Sequence, residues 1–338
     1  MKKILTIVIP SYNVEKTLSE TLASLMVDSV IENLDIIIVN DGSTDNTIKV
    51  ATKYKLMNPN SIRIIDKPNG GHGSTINCGI HLSKTKYFKV VDGDDCLEKD
   101  ALIDLVNYLK ECDDDIVFNP YYLWDIRDDY KSIVDYSKNK YLENKSYSFK
   151  EVSKDIDIPM HSMTIKTSIL KTIPKIDEHC FYVDVEYVLY PIISVSSISF
   201  RRKPLYKYRF FVETQSMSQQ QMQKNISHHR TVIDSLISFY QLHKKDMQVT
   251  VKEYYERRVA ELIKTNITTL YSFEPTKERL DDLISLLNFV DSQAPSILQK
   301  TKTGKYIPVI IFPKLTYKIA TLYLKLKRYK QKIYSKKF

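Results

Sequence analysis

Asp92-Gly93-Asp94-Asp95 follows the apolar run Tyr87-Phe88-Lys89-Val90-Val91 and precedes a helical pattern from Lys99. Carboxylates packed this closely at the end of a buried strand repel one another and lose hydration, so they persist mainly where a cation or a sugar hydroxyl fills the gap. Oxygen-only ligands favour Mg²⁺ or Mn²⁺, which take one or two protein carboxylates and fill the remaining positions with water and substrate phosphates. Asp and Gly also build ordinary turns, and that blander reading stands beside the metal. An EF-hand is excluded: its loop needs Gly at position 6 and Glu at position 12, where this chain has Leu97 and Ile103. The Asp-x-Asp nucleophile of phosphatases is expected after the first strand of its domain, whereas this cluster follows the fourth apolar run.

Two further loops carry chemistry. Asn40-Asp41-Gly42-Ser43-Thr44-Asp45 ends the second apolar run. Ser43 or Asp45 can cap the following helix, but Asp41 stands at the strand end, where a carboxylate can bond a base edge or a ribose. Lys67-Pro68-Asn69-Gly70-Gly71-His72-Gly73-Ser74 opens another helix. A glycine-rich turn there suits phosphate, because free amides and the helix dipole favour an anion. The pattern is weak alone, being neither a Walker A loop nor a well-placed Gly-x-Gly-x-x-Gly.

The elements that must position these loops alternate in type. Apolar runs at Leu5–Ile9, Leu34–Val39, Ile62–Ile65, Tyr87–Val91 and Ile116–Phe118 alternate with helical patterns at Thr17–Met26, Asp45–Lys55, Ser74–Leu82 and Lys99–Glu111. That order predicts an α/β protein with a doubly wound, mostly parallel sheet, whose ligands bind at the carboxyl ends of its strands. Asp41 and Asp92 follow the second and fourth runs and should share that edge. Residues 120–220 read as irregular, with strand-like pieces at Ile192–Phe200 and Leu205–Phe211. From about Ser227 the pattern is helical.

Composition narrows the class. Hydrophobic residues make up 43% and charged residues 27%, the balance of a soluble globular protein. Cys78, Cys96, Cys112 and Cys180 lack paired metal-ligand spacing and read as reduced cytosolic thiols. The apolar stretch after Met1-Lys2-Lys3 stops at Pro10, too short for a signal peptide, and no run approaches the ~18 apolar residues of a membrane span. Of 50 basic residues, nine lie between Lys314 and Phe338, where there is no acid; upstream, 41 basic residues balance 41 acidic ones. A neutral body is poor support for a nucleic-acid partner.

As a set, Ile7-Val8-Ile9-Pro10-Ser11-Tyr12-Asn13, Val39-Asn40-Asp41-Gly42-Ser43-Thr44-Asp45, Asn69-Gly70-Gly71 with Asn77-x-Gly79, and Val91-Asp92-Gly93-Asp94-Asp95 resembles the inverting glycosyltransferases of family 2. The resemblance covers about the first 110 residues and implies the GT-A fold, with a helical C-terminal region. It implies a catalytic domain over 1–220, made of a nucleotide-sugar half (1–120) and an acceptor half (121–220), followed by 221–338. Pro10, Tyr12, Asp41, Asn69, Gly70 and Gly93 would shape the nucleotide pocket, with Tyr12 beside the base. Asp92 would lie near the ribose or metal, and Asp94 would be a metal ligand. The donor would be a UDP-sugar and the metal Mn²⁺ or Mg²⁺. Family members often carry Arg where this chain has Ile76; His72, beside a helix N-terminus, is a candidate to replace it in part. The implied base near the acceptor matches Asp184 best, in Phe181-Tyr182-Val183-Asp184-Val185-Glu186-Tyr187, although Val183 replaces the usual first acid. Glu186 is the rival, on the same face if the segment is a strand but not if it is a helix, and a solvated helix start is the plainer alternative for the whole segment. Tyr206-x-Tyr208-Arg209 and Gln215-Ser216-Met217-Ser218 resemble the segment that closes the domain near the donor diphosphate. His161, His228 and His229 are weaker candidates for contact with acceptor or metal.

Two other readings fit parts of the chain. A sugar-phosphate nucleotidyltransferase would need a Gly-rich signature with Arg after the first strand, which is absent. A silent nucleotide-sugar- or glycan-binding subunit is suggested by Val183 and Ile76. In the tail, Leu315, Ile319, Leu322, Leu326, Tyr329 and Ile333 recur every three or four residues, a basic amphipathic helix suited to an anionic membrane face, or to packing on the body or a second subunit. The expected acceptor is a cell-surface glycan or a lipid-linked intermediate. The expected location is cytoplasmic, peripheral on the inner face of the cell membrane.

Overall fold

The computed structural model describes residues 3–138, 140–210 and 218–322. They fall into two compact units, residues 1–215 and 216–338. The first unit opens with strand β1 (Leu5–Ser11), helix α1 (Leu18–Leu25), β2 (Leu34–Asp41), α2 (Thr47–Met57), β3 (Ile62–Lys67), α3 (His72–Leu82) and β4 (Tyr87–Val90). It continues through β5 (Cys96–Leu97), α4 (Lys99–Glu111), β6 (Ile116–Phe118), β7 (Tyr121–Asp125), β8 (Tyr130–Val134), β9 (Ser146–Ser148) and α5 (Phe149–Val152). Then come β10 (Met163–Lys166), α6 (Thr167–Leu170), α7 (Asp184–Ile192), β11 (Ser197–Phe200) and β12 (Tyr206–Phe210).

The main sheet has eight strands in the order β3-β2-β1-β4-β10-β6-β11-β9. Its first four are parallel, as the alternation predicts, and Pro10 lies opposite Val39 while Asp41 lies opposite Lys67. Every residue of β1 and β2 is buried, because helices cover both faces of a parallel sheet. The fifth apolar run does not join β4 directly. β10 inserts antiparallel between β4 and β6, so the sheet is mixed beyond its fourth strand. A second sheet, β5-β12-β7-β8, carries Tyr206 and Arg209 next to the turn that holds Asp94 and Asp95.

The piece at Ile192–Phe200 divides differently from the expectation. Ile192 ends α7, and the strand starts only at Ser197. Short apolar runs such as Val188–Val195 suit a buried helix as well as a strand, and here α7 buries residues 186–192. Of the strand-like piece at Leu205–Phe211, β12 covers Tyr206–Phe210; Phe211 lies outside the described residues.

The second unit is helical throughout its described residues: α8 (Gln219–Lys224), α9 (Ile226–His243), α10 (Val249–Ser272), α11 (Lys277–Gln293), α12 (Pro295–Thr301) and α13 (Tyr306–Ile311), with residues 313–322 also helical. Along α10, Val251, Tyr255, Val259, Ile263, Ile267 and Leu270 recur at helical spacing and are buried, making it the central helix against α9 and α12.

Candidate active site

The site lies where β1, β2 and β4 end. Asp41, the last residue of β2, is 2% exposed, and both its oxygens are used within the protein. Oδ1 accepts from Lys67 Nζ (2.5 Å) and the Gly70 amide (2.9 Å), and Oδ2 from the Gly71 amide (2.8 Å). Asn69 Nδ2 donates to the Asp41 carbonyl (2.9 Å). Asp41 therefore shapes the glycine loop, whatever else it binds. Gly71 adopts φ 82°, a left-handed conformation that other residues rarely take.

His72, the first residue of α3, brings Nε2 to 2.9 Å from Asp92 Oδ1. Burial disfavours the imidazolium, but the charge of Asp92 and its hydrogen bond, followed by Asp184 and Asp94, raise the His72 pKa above its ordinary value. Two carboxylates of one turn and a third from the start of α7 thus act on one imidazole. Burial would push Asp92 upward; His72 overrides it and holds Asp92 below the usual carboxylate range. Asp94, exposed on the same turn, rises to about 6 through desolvation and the Asp92 charge. Gly93 donates its amide to the Pro10 carbonyl (3.2 Å), which docks this turn on β1. Tyr12, half exposed, stands beyond the end of β1.

Asp95 faces inward. Its Oδ2 accepts from the Tyr206 hydroxyl (2.7 Å) and its Oδ1 from the Arg209 amide (2.8 Å). Burial first, then the charges of Asp94 and Asp92, push its pKa well up. The Tyr206 hydroxyl also accepts from the Asp92 amide (3.1 Å), so one phenol ties β12 to both ends of the turn. The Arg209 guanidinium pairs with Glu20 (2.6 Å) and lies over Trp124. Beside these, the His161 ring packs among Tyr121, Tyr206 and Tyr208, and burial lowers its pKa to about 4. Lys89 is fully buried, donates to the carbonyls of His161 (2.8 Å) and Met163 (3.2 Å), and falls to about 7 through burial.

Asp92, Asp95 and His161 each offer a ligand atom, all within 4.8 Å of one another. Donors of this kind are compatible with a divalent cation, with Asp92 and His161 the freer pair, since both oxygens of Asp95 already accept from Tyr206 and Arg209. Asp94, the ligand expected from sequence, is exposed on the same turn and is not one of these three.

Asp184 is the first residue of α7 and is partly exposed. The segment is helical, so Glu186 does not share its face. Glu186 is fully buried, and its Oε2 accepts from the Asp177 amide (2.8 Å). Ile76 and Val183, where the resemblance leads one to expect charge, are both fully buried.

The structure thus gathers His72, Asp92, Asp94 and Asp184 into one charged cluster, with Asp41, Asn69 and Gly70 forming the adjoining loop. His228 and His229 belong to the helical second unit. Residues 215–217 lie outside the described residues, as do Leu326, Tyr329 and Ile333. Lys67 and Lys89 received no role from sequence. For Lys67 a signal existed: a cation at the end of a strand pairing in register with the one that ends in Asp41.

Residues 6–173 match the model of glycosyl transferase family 2. Glycosyltransferase GlyG of Streptococcus pneumoniae is 33% identical over 129 residues, covering 38% of this chain and 42% of that protein. Minor teichoic acid biosynthesis protein GgaB of Bacillus subtilis is 28% identical over 178 residues, covering 52% of this chain and 19% of its own. The chain therefore spans less than half the length of these relatives. The crystal structure of S. aureus TarS 1–349 in complex with UDP-GlcNAc superposes with a TM-score of 0.67 at 16% identity, over 95% of this chain and 89% of that one. The fold is the GT-A fold, and by its family match and its relatives the chain belongs to glycosyltransferase family 2.

Proposed function

We propose that the protein transfers a sugar, with inversion, from a UDP-sugar to a hydroxyl of a cell-surface glycan or lipid-linked acceptor, using Asp184 as the base. What supports this reading is the acid surround of His72, which bonds Asp92 at 2.9 Å and whose proton affinity is raised by Asp92, Asp184 and Asp94. The TarS structure, of the same fold, holds UDP-GlcNAc, and GgaB is named for teichoic acid biosynthesis; both support the donor and acceptor classes.

Asp184 accepts the proton of the acceptor hydroxyl as that oxygen bonds to the anomeric carbon. The bond from that carbon to the diphosphate oxygen breaks on the opposite face, and UDP leaves. His72, held by Asp92 at the start of α3, supplies positive charge and a helix N-terminus beside the departing phosphates. Asp92 and Asp94, with His161 and Asp95 behind them, would hold Mn²⁺ or Mg²⁺, which when bound screens the charge of the diphosphate. Asp41, Asn69 and Gly70 shape the loop that receives the nucleotide, between Tyr12 and the Pro10–Gly93 contact.

A location at an anionic membrane face belongs to the same reading. Among the described residues no helix is long and apolar enough to cross a membrane. Residues 313–322 are helical and expose Leu315, Ile319 and Leu322, so contact would be peripheral.

The test is UDP release from a panel of UDP-sugars with Mn²⁺, in wild type and Asp184→Asn, alongside calorimetric UDP binding. We expect the variant to bind UDP as wild type does and to lose transfer. Retained transfer would move the base elsewhere, and UDP binding without any release by wild type would make the chain a silent binding subunit.

A further inference from the structure

The segment between β10 and α7 is tied at both ends of the site. On one side, Asn77 of α3 clamps Ile176 twice: Nδ2 donates to its carbonyl (2.9 Å) and Oδ1 accepts from its amide (3.0 Å). The His179 amide donates to the Gly70 carbonyl. The approach leaves no room: a methyl group on Gly73 would lie 2.0 Å from the Asp177 carbonyl oxygen, and one on Gly71 would lie 3.0 Å from the His179 amide. On the other side, Glu186 in the first turn of α7 is fully buried and accepts from the Asp177 amide (2.8 Å). His179 and Tyr182 hold positive φ (54° and 69°), a strained state that persists only where the surroundings impose it.

We propose that Glu186 and Asn77 are positioning residues that anchor segment 176–183 as a tie between the donor-side glycine loop and the start of α7, fixing Asp184 relative to the donor. Neither residue needs to touch substrate. A buried carboxylate that accepts a backbone amide can be replaced in that role by a carboxamide oxygen, but not by a methyl group. The same substitution separates positioning from proton removal, since Gln cannot act as a base. This inference rests on the proposed reading for its kinetic part only.

The experiment compares wild type, Glu186→Gln, Glu186→Ala, Asn77→Ala and the double alanine variant by transfer kinetics, UDP calorimetry and amide hydrogen exchange. We expect Glu186→Ala and Asn77→Ala each to lower kcat at least ten-fold with UDP affinity within three-fold, and Glu186→Gln to restore most of the rate. The double variant should be little worse than either single one, because both act on one segment. Exchange of the 176–183 amides should quicken in both alanine variants, and this readout stands even if no donor is turned over. An inactive Glu186→Gln in an active wild type would make Glu186 the base and overturn the proposal. So would unchanged exchange across 176–183 in the alanine variants. Absence of transfer in wild type with quickened exchange in the variants would instead count against the enzyme reading alone.

Discussion

His72 Nε2 stands 2.9 Å from Asp92 Oδ1, joining the first residue of α3 to the first carboxylate beyond β4. The pair links the glycine loop to the Asp-x-Asp turn, and the carboxylates around His72 raise its affinity for a proton. Hydrogen bonds to charged groups contribute roughly 1.5–3 kcal/mol.

His72→Ala should therefore weaken UDP-sugar binding about ten-fold, equivalent to about 1.4 kcal/mol. Calorimetry at pH 6 provides the measurement, with melting temperature as a control for folding. An unchanged dissociation constant would remove His72 from the donor site and leave it as a partner of Asp92 alone.

Tyr206→Phe should show how far the turn depends on its buried support. The variant leaves the Asp92 amide and Asp95 Oδ2 without their phenol partner, at a cost of roughly 1–3 kcal/mol for an unsatisfied buried group. We expect a lower melting temperature and weaker Mn²⁺ binding, the latter read by paramagnetic resonance of free Mn²⁺. A melting curve like that of wild type would mean that Asp95 is held by the Arg209 amide alone.

The parts of this architecture that were legible in the sequence are those whose residues repeat a local rule. β1 and β2 are buried on both faces and read as unbroken apolar runs, and α4 begins and ends where its pattern says, at Lys99 and Glu111. The donor-side loops followed because each closes a strand of that sheet. β10 escaped notice because Met163–Lys166 is too short to carry a period, and its place between β4 and β6 depends on pairing with strands far back along the chain. Tyr206, His161 and Lys89 converge on the turn from three separate elements, and no local spacing encodes such a meeting. The helix at Asp184 is one of the two readings its sequence allows, since an acid pair in the first turn before Tyr187, Val188 and Leu189 suits a helix start.

Glu186 should impose a pH dependence on stability. Burial pushes its pKa up to about 8, against the Asp177 amide bond that favours the anion. The folded state thus holds a proton that the unfolded chain releases near its ordinary value of 4.5. The stabilisation from Glu186 is fully present below about 4.5 and is lost as pH rises through about 8. Glu186→Gln carries no such proton, so the fall in melting temperature between pH 5 and 8.5 should be shallower in the variant. Parallel curves would show that Glu186 ionises in place at little cost.

The second unit should bind anionic bilayers through its last described helices. From Ser292 to Phe338 there are twelve basic residues and no acid. Within that stretch Ile307, Ile311, Leu315, Ile319 and Leu322 are each at least 43% exposed, while Tyr317 turns inward against Tyr271. An apolar stripe on a stretch of chain with basic residues and no acid matches an anionic lipid face, where each basic residue near the surface adds about 1 kcal/mol. Wild type should float with phosphatidylglycerol vesicles and not with phosphatidylcholine ones, and high salt should weaken binding. Leu315→Glu with Ile319→Glu should abolish flotation without lowering the melting temperature, since both side chains are exposed. Flotation unaltered in that variant would remove this stripe as the lipid contact, and a shift from dimer to monomer in the variant would assign the stripe to a second copy of the chain.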